Sequence, residues 1–400
     1  MKLADVVILD GVRTAIGGFG GSLSSMTPAD LGTLVAIEAI RRSGVLADDI
    51  DHSVFGHIIP TGPQDAYIAR HIGLNAGLPT RSAALNVNRL CGSSVQSVIS
   101  AAQMIMLGDS KIALAGGAEC MSQGAYVLPN VRQGLRMGDG KAVDMTLGTL
   151  SDPFGSGHMG LTAEKIAEQY GLSREDLDRF SVESHRRACH AIDNGYFKHQ
   201  IVPVTVKQGR QEFVCDQDEH ARADTSMESL TRLKPAFKQD GIVTPGNASG
   251  LNDGAAAMVL TSAAEAKKRG LKPRASLVSY AFAGVDPDVM GLGPIPAVKE
   301  ALKKAGLRVA DLDVIESNEA FAAQALAVND SLALDSAKVN PNGGAIALGH
   351  PVGATGSILI IKTLAELDRI DGRYGMVTMC IGGGQGIALI VERIAGAPQQ

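Results

Sequence analysis

Thiols and imidazoles are the side chains best suited to covalent and proton-transfer chemistry, and three of them stand at telling places. Cys91 lies in VNRLCGSSVQS, where strand-like ALNVN gives way to the helix-like run CGSSVQSVISAAQMIML. The change of period predicts Cys91 at the first turn of a helix. Free amide groups and the helix dipole favour a thiolate there, which makes Cys91 a candidate nucleophile; a small buried thiol filling space is the other reading of this stretch. His350 sits in NPNGGAIALGHPVGATG, a glycine-rich loop ahead of another apolar helix. Cys380 ends the strand-like YGMVTMC and precedes three glycines whose backbone can approach a ligand closely. A thiol, an imidazole and a second thiol at strand–helix and strand–loop junctions occupy the positions where open α/β sheets place their sites. Together they could supply a covalent acyl carrier and a separate acid/base. Taken singly, His350 could equally be a loop histidine bonded to backbone, and Cys380 buried filler.

The elements that must position these residues follow from hydrophobic period. Short runs such as VVILD, SVFGHI, KIALAGG, AAMVL, ASLVSY and GIALIVE alternate with amphipathic stretches, the pattern of α/β layers around a largely buried sheet. EAIRRSGVLADDID, from Glu38, aligns with EALKKAGLRVADLD, from Glu300, and each copy reads as a helix, a glycine stop and a strand. So long a period implies two similar half-molecules. Between them, residues of about 121–248 are rich in Met, His and charged side chains and read as an insertion. Within it LTAEKIAEQYGLSREDLDRFSVESHRRACHAI predicts two helices broken at Gly171, with Ser173 as N-cap and Asp176 completing an acidic capping box. His185, Cys189 and His190 share a helix face, but two facing ligands are too few for a closed zinc site, so no metal is expected.

Composition narrows the classes. The chain has 400 residues, 45% hydrophobic and 20% charged, with a net charge of -5, which suits a multi-layered globular protein and offers no basic footprint for nucleic acid. No secretory signal pattern opens the sequence, and no apolar run is expected to reach the length of about 18 residues that marks a membrane span. The five cysteines, Cys91, Cys120, Cys189, Cys215 and Cys380, are odd in number and unpaired in spacing, as in reduced cytoplasmic proteins.

The blocks VNRLCGSS, GNASGLNDGAA, SNEAFAAQA, NPNGGAIALGHPVGATG and MCIGGGQG, in this order, closely resemble the successive signatures of the thiolases. The resemblance spans almost the whole chain. It implies two repeated βαβαβαββ half-domains with five-stranded sheets in a layered αβαβα arrangement, over 1–270 and 271–397, with a CoA-binding loop domain inserted in the first. It implies reversible Claisen condensation of acyl-CoA thioesters and thiolysis of 3-ketoacyl-CoA. Coenzyme A and acyl-CoA are then substrates, and no cofactor is bound permanently. By the same resemblance Cys91 carries the acyl group, His350 takes its proton, and Cys380 moves the proton of the second acyl-CoA. Asn318, through a water, and His350 form one oxyanion hole, and the amides of Cys91 and Gly382 form the other. Ser249, His158, Met159 and Met290 meet the pantetheine arm, thioester or acyl group, and Arg222 lies near the nucleotide. No P-loop occurs, so scattered basic side chains are expected to hold the phosphates.

Ser94 departs from the glycine common in biosynthetic thiolases and matches degradative ones, whereas GHMG resembles the short-chain type. Acetyl-CoA C-acetyltransferase and a longer-chain thiolase of β-oxidation therefore both stay open. QGLRMGDGKAVDM resembles the loop that joins dimers, which implies a homotetramer. A cysteine hydrolase would also use Cys, His and Asn, and a non-catalytic acyl-CoA binder would share the fold; the second thiol argues against the first and the intact set of four residues against the second.

Overall fold

The computed structural model describes residues 2–208 and 211–394; the expected domain end at 397 lies outside them. Strand β1 (Val6–Thr14) leads to helix α1 (Pro28–Ser43), β2 (His52–Gly56), α2 (Ile68–Asn75), β3 (Ala83–Val87), α3 (Ser93–Leu107) and β4 (Ile112–Cys120). After the segment that carries α4 (Met159–Tyr170) and α5 (Arg174–Asp193), β5 (Asn252–Ser262) closes the first half. The second half runs β6 (Ala275–Gly284), α6 (Pro294–Ala305), β7 (Val314–Ser317), α7 (Ala322–Ser331), α8 (Thr355–Ile370), β8 (Tyr374–Ile381) and β9 (Gln385–Arg393).

The halves repeat in pairing as well as in sequence. In the first, strand order is β3-β2-β4-β5-β1; β2 is parallel to both neighbours, and β5 is antiparallel to β4 and β1. In the second, β7 is parallel to β8, and β9 is antiparallel to β8 and β6. The counterpart of β3 shrinks to a single parallel bridge, Ile315 to Val339. Two short pairings, Val7 with Ser276 and Ile8 with Ala275, join both halves into one continuous sheet. The repeated segment keeps its predicted helix and glycine stop, α1 ending at Gly44 with φ 73° and α6 at Gly306 with φ 67°, left-handed values that glycine adopts without steric cost; the strand expected next starts only at His52 and Val314, after 3-10 turns at Ala47–Asp49 and Val309–Asp311.

Helices α3 and α8 lie side by side at the centre; α8 touches strands of both halves, and α3 packs on first-half strands and reaches the second half through Gln103, which donates to the Tyr280 hydroxyl of β6 at 2.7 Å. Their polar first turns are fitted together: the Ser94 hydroxyl accepts the Ser357 amide at 2.9 Å. The residue that sets this sequence apart from the glycine pattern thus serves as a cap delivered from one half to the other. One stretch corrects the membrane expectation, since Leu90–Leu107 does have the length and hydropathy of a span. It is apolar because α3 packs between the first-half strands and α8.

In the inserted segment, Ser173 and Asp176 exchange their capping hydrogen bonds at 3.2 and 2.9 Å. The segment is tied to the sheet by a fully buried ion pair, in which Arg13 on β1 donates to Asp218 at 2.7 and 2.9 Å. Arg13 also donates to Gln200 at 3.2 Å, and Asp218 accepts the Ile16 amide at 2.8 Å. Removing one member strands the other charge in the interior. Asp218→Ala is expected to lower unfolding free energy by about 3–5 kcal/mol, measured by denaturant titration; a loss under 1 kcal/mol would show that Arg13 finds water.

Candidate active site

Cys91 is held in a turn rather than in the helix itself, because α3 begins two residues later with Gly92 as its N-cap. Leu90 adopts φ 45°, a left-handed value unusual for a side chain of that size. Local bonds hold the turn: the Ser93 hydroxyl accepts the Arg89 amide at 2.8 Å and donates to Leu90 O at 2.7 Å, and Asn88 accepts the Leu90 amide at 3.0 Å. The Cys91 sulfur meets two N–H groups, its own and that of Gly382. Gly382 has no room for a side chain without moving Met159, whose methyl group would lie 2.2 Å from an added Cβ. The next residue, Gly383, turns the chain at φ 77°.

The expected low thiol pKa is not what the site provides. Burial pushes Cys91 up to about 11, while the two N–H groups pull it down and the Glu119 carboxylate adds to the rise. Desolvation of a thiolate therefore outweighs the helix N-terminus. Burial, together with the nearby Cys91 sulfur, holds the Cys380 thiol well above the ordinary range. The same field effect places the two sulfurs in one neighbourhood.

His350 is buried and its tautomer is fixed by hydrogen bonding. Its Nδ1 lies 2.7 Å from the Thr355 hydroxyl, and that hydroxyl donates its single proton to Pro351 O at 2.9 Å. Nδ1 must then carry the proton and donate, which leaves Nε2 as the lone pair. Nε2 faces the Asn318 amide nitrogen at 3.4 Å. Burial drops the His350 pKa to about 4, so at neutral pH the ring is an uncharged base. The His350 amide donates to Asn252 at 2.9 Å, fixing the start of its loop.

Asn318 follows β7 and is bonded through its amide to Thr378 O on β8 at 3.0 Å. Its neighbour Glu319 accepts from Ser184, Asn340 and the Ile346 amide at 2.7, 2.8 and 3.2 Å. The Asn318 side-chain oxygen is buried with no partner among the described residues, leaving an acceptor free for a small polar molecule.

Met159, Met290 and Cys380 share one apolar cluster with Ala248 and Phe321. Ser249, which follows Ala248, donates its amide to Ala320 O at 3.0 Å. His158 stacks on Phe237 with ring centroids 4.5 Å apart, and Phe237 meets Phe321 edge-on at 6.2 Å. These contacts gather His158, Met159, Ser249 and Met290 around the second cysteine. Arg222 stays apart from that cluster, exposed on the inserted segment, with its amide on His185 Nδ1 at 3.2 Å. Thr355, Asn252, Phe237 and Phe321 were not singled out by sequence reasoning. The first two lie inside quoted blocks as unremarkable polar residues, and only the fold shows what they touch.

This arrangement, with a thiol between two amides, a second thiol beside it and a neutral histidine, lies on a duplicated α/β fold and defines an acyl-transfer class of protein. Residues 6–264 match the thiolase N-terminal domain and 271–393 the thiolase C-terminal domain. The chain belongs to the thiolase family. It is 58% identical over 391 residues to beta-ketothiolase BktB of Cupriavidus necator, covering 98% of this chain and 99% of that protein. It is 48% identical over 393 residues to an acetyl-CoA acetyltransferase of Pseudomonas aeruginosa, covering 98% and all of the latter. Among solved structures, the Bacillus anthracis acetyl-CoA acetyltransferase superposes with a TM-score of 0.96 at 45% identity, covering 98% of this chain and 99% of that one. Human mitochondrial 3-ketoacyl-CoA thiolase does so at 0.96 and 42%, covering 98% and 100%.

His350 should keep its Nδ1–H tautomer and stay uncharged from pH 7 down to about 5, because its lowered pKa delays protonation until about pH 4. Nitrogen-15 histidine spectra test this; titration of the His350 ring near its ordinary value of about 6.5 would contradict it.

Proposed function

We propose that this enzyme joins two acetyl-CoA molecules to acetoacetyl-CoA and CoA, and runs the reverse thiolysis, through an acyl group carried on Cys91. The observation that carries the reading is the Cys91 sulfur between the Gly382 and Cys91 amides with a second thiol in its field. With both thiols and the imidazole uncharged at rest, His350 Nε2 receives the Cys91 proton as sulfur attacks the thioester carbonyl. The two amides meet the oxygen of the acyl group, and deleting a donor of this kind costs about 3–4 kcal/mol of transition-state stabilisation. As the tetrahedral adduct collapses, CoA leaves as a thiolate and takes the Cys380 proton, so that Cys380, now a thiolate, removes a proton from the methyl group of the second acetyl-CoA; the carbanion attacks the acyl-enzyme, and Cys91 leaves as a thiolate and regains its proton from His350. His350 and Asn318, whose free oxygen suits a bound water, meet the enolate oxygen.

Ser249, His158, Met159 and Met290 line the thioester end, and Arg222 is assigned to the nucleotide on the exposed surface. In this reading residues 1–270 and 271–397 are the two thiolase domains, and about 121–248 is the CoA-binding insertion. The relatives at 47–58% identity bear the names beta-ketothiolase and acetyl-CoA acetyltransferase, which favours the short-chain activity over a long-chain degradative one.

The assembly is proposed as a homotetramer. Strand β3 is an edge strand with exposed Leu85, and the hairpin formed by Tyr126–Val127 and Val143–Asp144 carries exposed Leu128, Leu135 and Met137, the last 98% exposed. Apolar groups left in water this way suit burial against other copies. A cytoplasmic location fits the five free cysteines.

Cys91→Ala is expected to abolish both turnover and labelling by acetyl-CoA, followed by intact-mass spectrometry; persistent labelling would remove the nucleophile assignment. Cys380→Ser should still be acylated at Cys91 while condensation falls by about 10²-fold or more. Equal loss of both half-reactions would contradict separate roles. A thiolysis series over 3-oxoacyl chain lengths should peak at the shortest substrates, and a maximum at medium or long chains would overturn the short-chain reading.

A further inference from the structure

Directly behind the proposed site lies a buried charge cluster that the mechanism does not use. Glu119, at the end of β4, is fully enclosed. Its carboxylate accepts the Ile58 amide at 3.2 Å, the Ile59 amide at 3.1 Å and the Gly353 amide at 2.8 Å. The first two belong to the turn after β2, in the half that carries Cys91; the third belongs to the loop that carries His350. His57 completes the cluster. Its Nδ1 faces only acceptors, Ala118 O at 3.0 Å and Glu119 Oε1 at 3.1 Å, and its Nε2 faces Asp65 Oδ2 at 3.3 Å. Nδ1 carries a proton, since both of its neighbours are acceptors; Nε2 makes no hydrogen bond among the described residues, and the Asp65 carboxylate beside it favours the charged ring. Burial opposes that charge, but the Glu119 and Asp65 carboxylates outweigh it and hold His57 at about 10.

We propose that His57 is a positioning residue for acyl transfer: as an imidazolium between Asp65 and Glu119 it holds the Glu119 carboxylate where the His350 loop docks, and so sets His350 relative to Cys91. Without the ring, the Glu119 carboxylate loses both its counter-charge and the contact that fixes it between the Ile58, Ile59 and Gly353 amides, and the docking of Gly353 weakens. The loop has no slack to absorb the change, because an added Cβ on Gly353 would lie 2.5 Å from Glu119 Oε2 and 3.2 Å from His57 Cα. The same seam is apolar on its other side: Val352 of the loop packs with Ile58, Ile59 and Met121, and Leu90 and Cys91 lean on that cluster. Displacing Gly353 thus moves Val352, the loop residue two places after His350, against the turn that holds the nucleophile.

The inference rests on Cys91 being the acylated residue. The test compares wild type, His57→Gln, Glu119→Gln and the double variant for single-turnover acetylation by acetyl-CoA in quenched flow, with KM, melting temperature and a crystal structure of His57→Gln. A misplacement of about 1 Å costs about 10²-fold in rate, so His57→Gln should slow acetylation by about 10²-fold while KM changes less than about twofold. Because His57 acts only through Glu119, adding His57→Gln to Glu119→Gln should cost less than a further factor of about two, a coupling that independent sites do not show. The crystal structure should show the 350–354 loop displaced. A folded His57→Gln acetylated at the wild-type rate, losses that multiply in the double variant, or a loop that has not moved would each overturn the proposal. Should His57→Gln not fold, Asp65→Asn removes only the outer charge and should slow acetylation by about tenfold with KM retained; a wild-type rate there overturns it too. Failure of the wild type to be acetylated at all would sink the thiolase role of Cys91 instead, and the loop position would still be read independently.

Discussion

The seam between α3 and α8 is the contact on which the rest of this molecule depends. Two half-molecules of the same topology meet there by their helix N-termini, and neither owns all of the residues proposed for the site. Cys91 stands on the first half, and His350, Asn318, Cys380 and Gly382 on the second. Any relative slip of the halves would change how the His350 loop meets the Cys91 turn, so the seam needs directional bonds as well as apolar packing. Ser94 supplies one by capping α8 from α3, and Glu119 supplies another by gathering amides from both sides. Buried groups of this kind hold only when every partner is present, which is why they specify one register so sharply.

Neutrality is the second organising feature. Burial raises both thiols and lowers the imidazole, so the resting site holds few charges. A permanently ionised Cys91 would be a poorer match to an acyl carrier, because charge would have to be desolvated before any substrate arrived. In the proposed reaction the proton leaves as the carbonyl arrives, and donors already aimed at the developing charge need no reorganisation. The tautomer of His350 belongs to the same arrangement. A threonine hydroxyl that spends its only proton on Pro351 leaves the imidazole no choice but to present Nε2.

The insertion supplies what two symmetric halves lack. Its helices α4 and α5 lie against α7, and its aromatic chain from His158 through Phe237 to Phe321 reaches the segment that carries Asn318. The apolar surface around Cys380 is therefore built jointly from inserted residues and from the second half. Such a wall can be reshaped by substitutions in the insertion while the sheet stays as it is.

The linear chain was sufficient for whatever depends on period and local turn chemistry. Alternating strand-like and helix-like runs gave the layers, the pair of segments from Glu38 and Glu300 gave the duplication, and Ser173 with Asp176 gave a helix start. The signature blocks gave the family, and with it the residues proposed for the site, because covalent chemistry leaves few choices of side chain. Other properties arise between residues far apart in sequence and have no local pattern to betray them. Glu119 and the Gly353 amide are 234 positions apart, and Ser94 and Ser357 are 263 apart. The direction of the Cys91 shift was decided by tertiary enclosure too, since a helix start argues for a thiolate only while water can reach it. Folding packs Leu90, Ile58, Ile59 and Val352 around the half-buried sulfur, and desolvation, which no stretch of sequence displays, then outweighs the dipole.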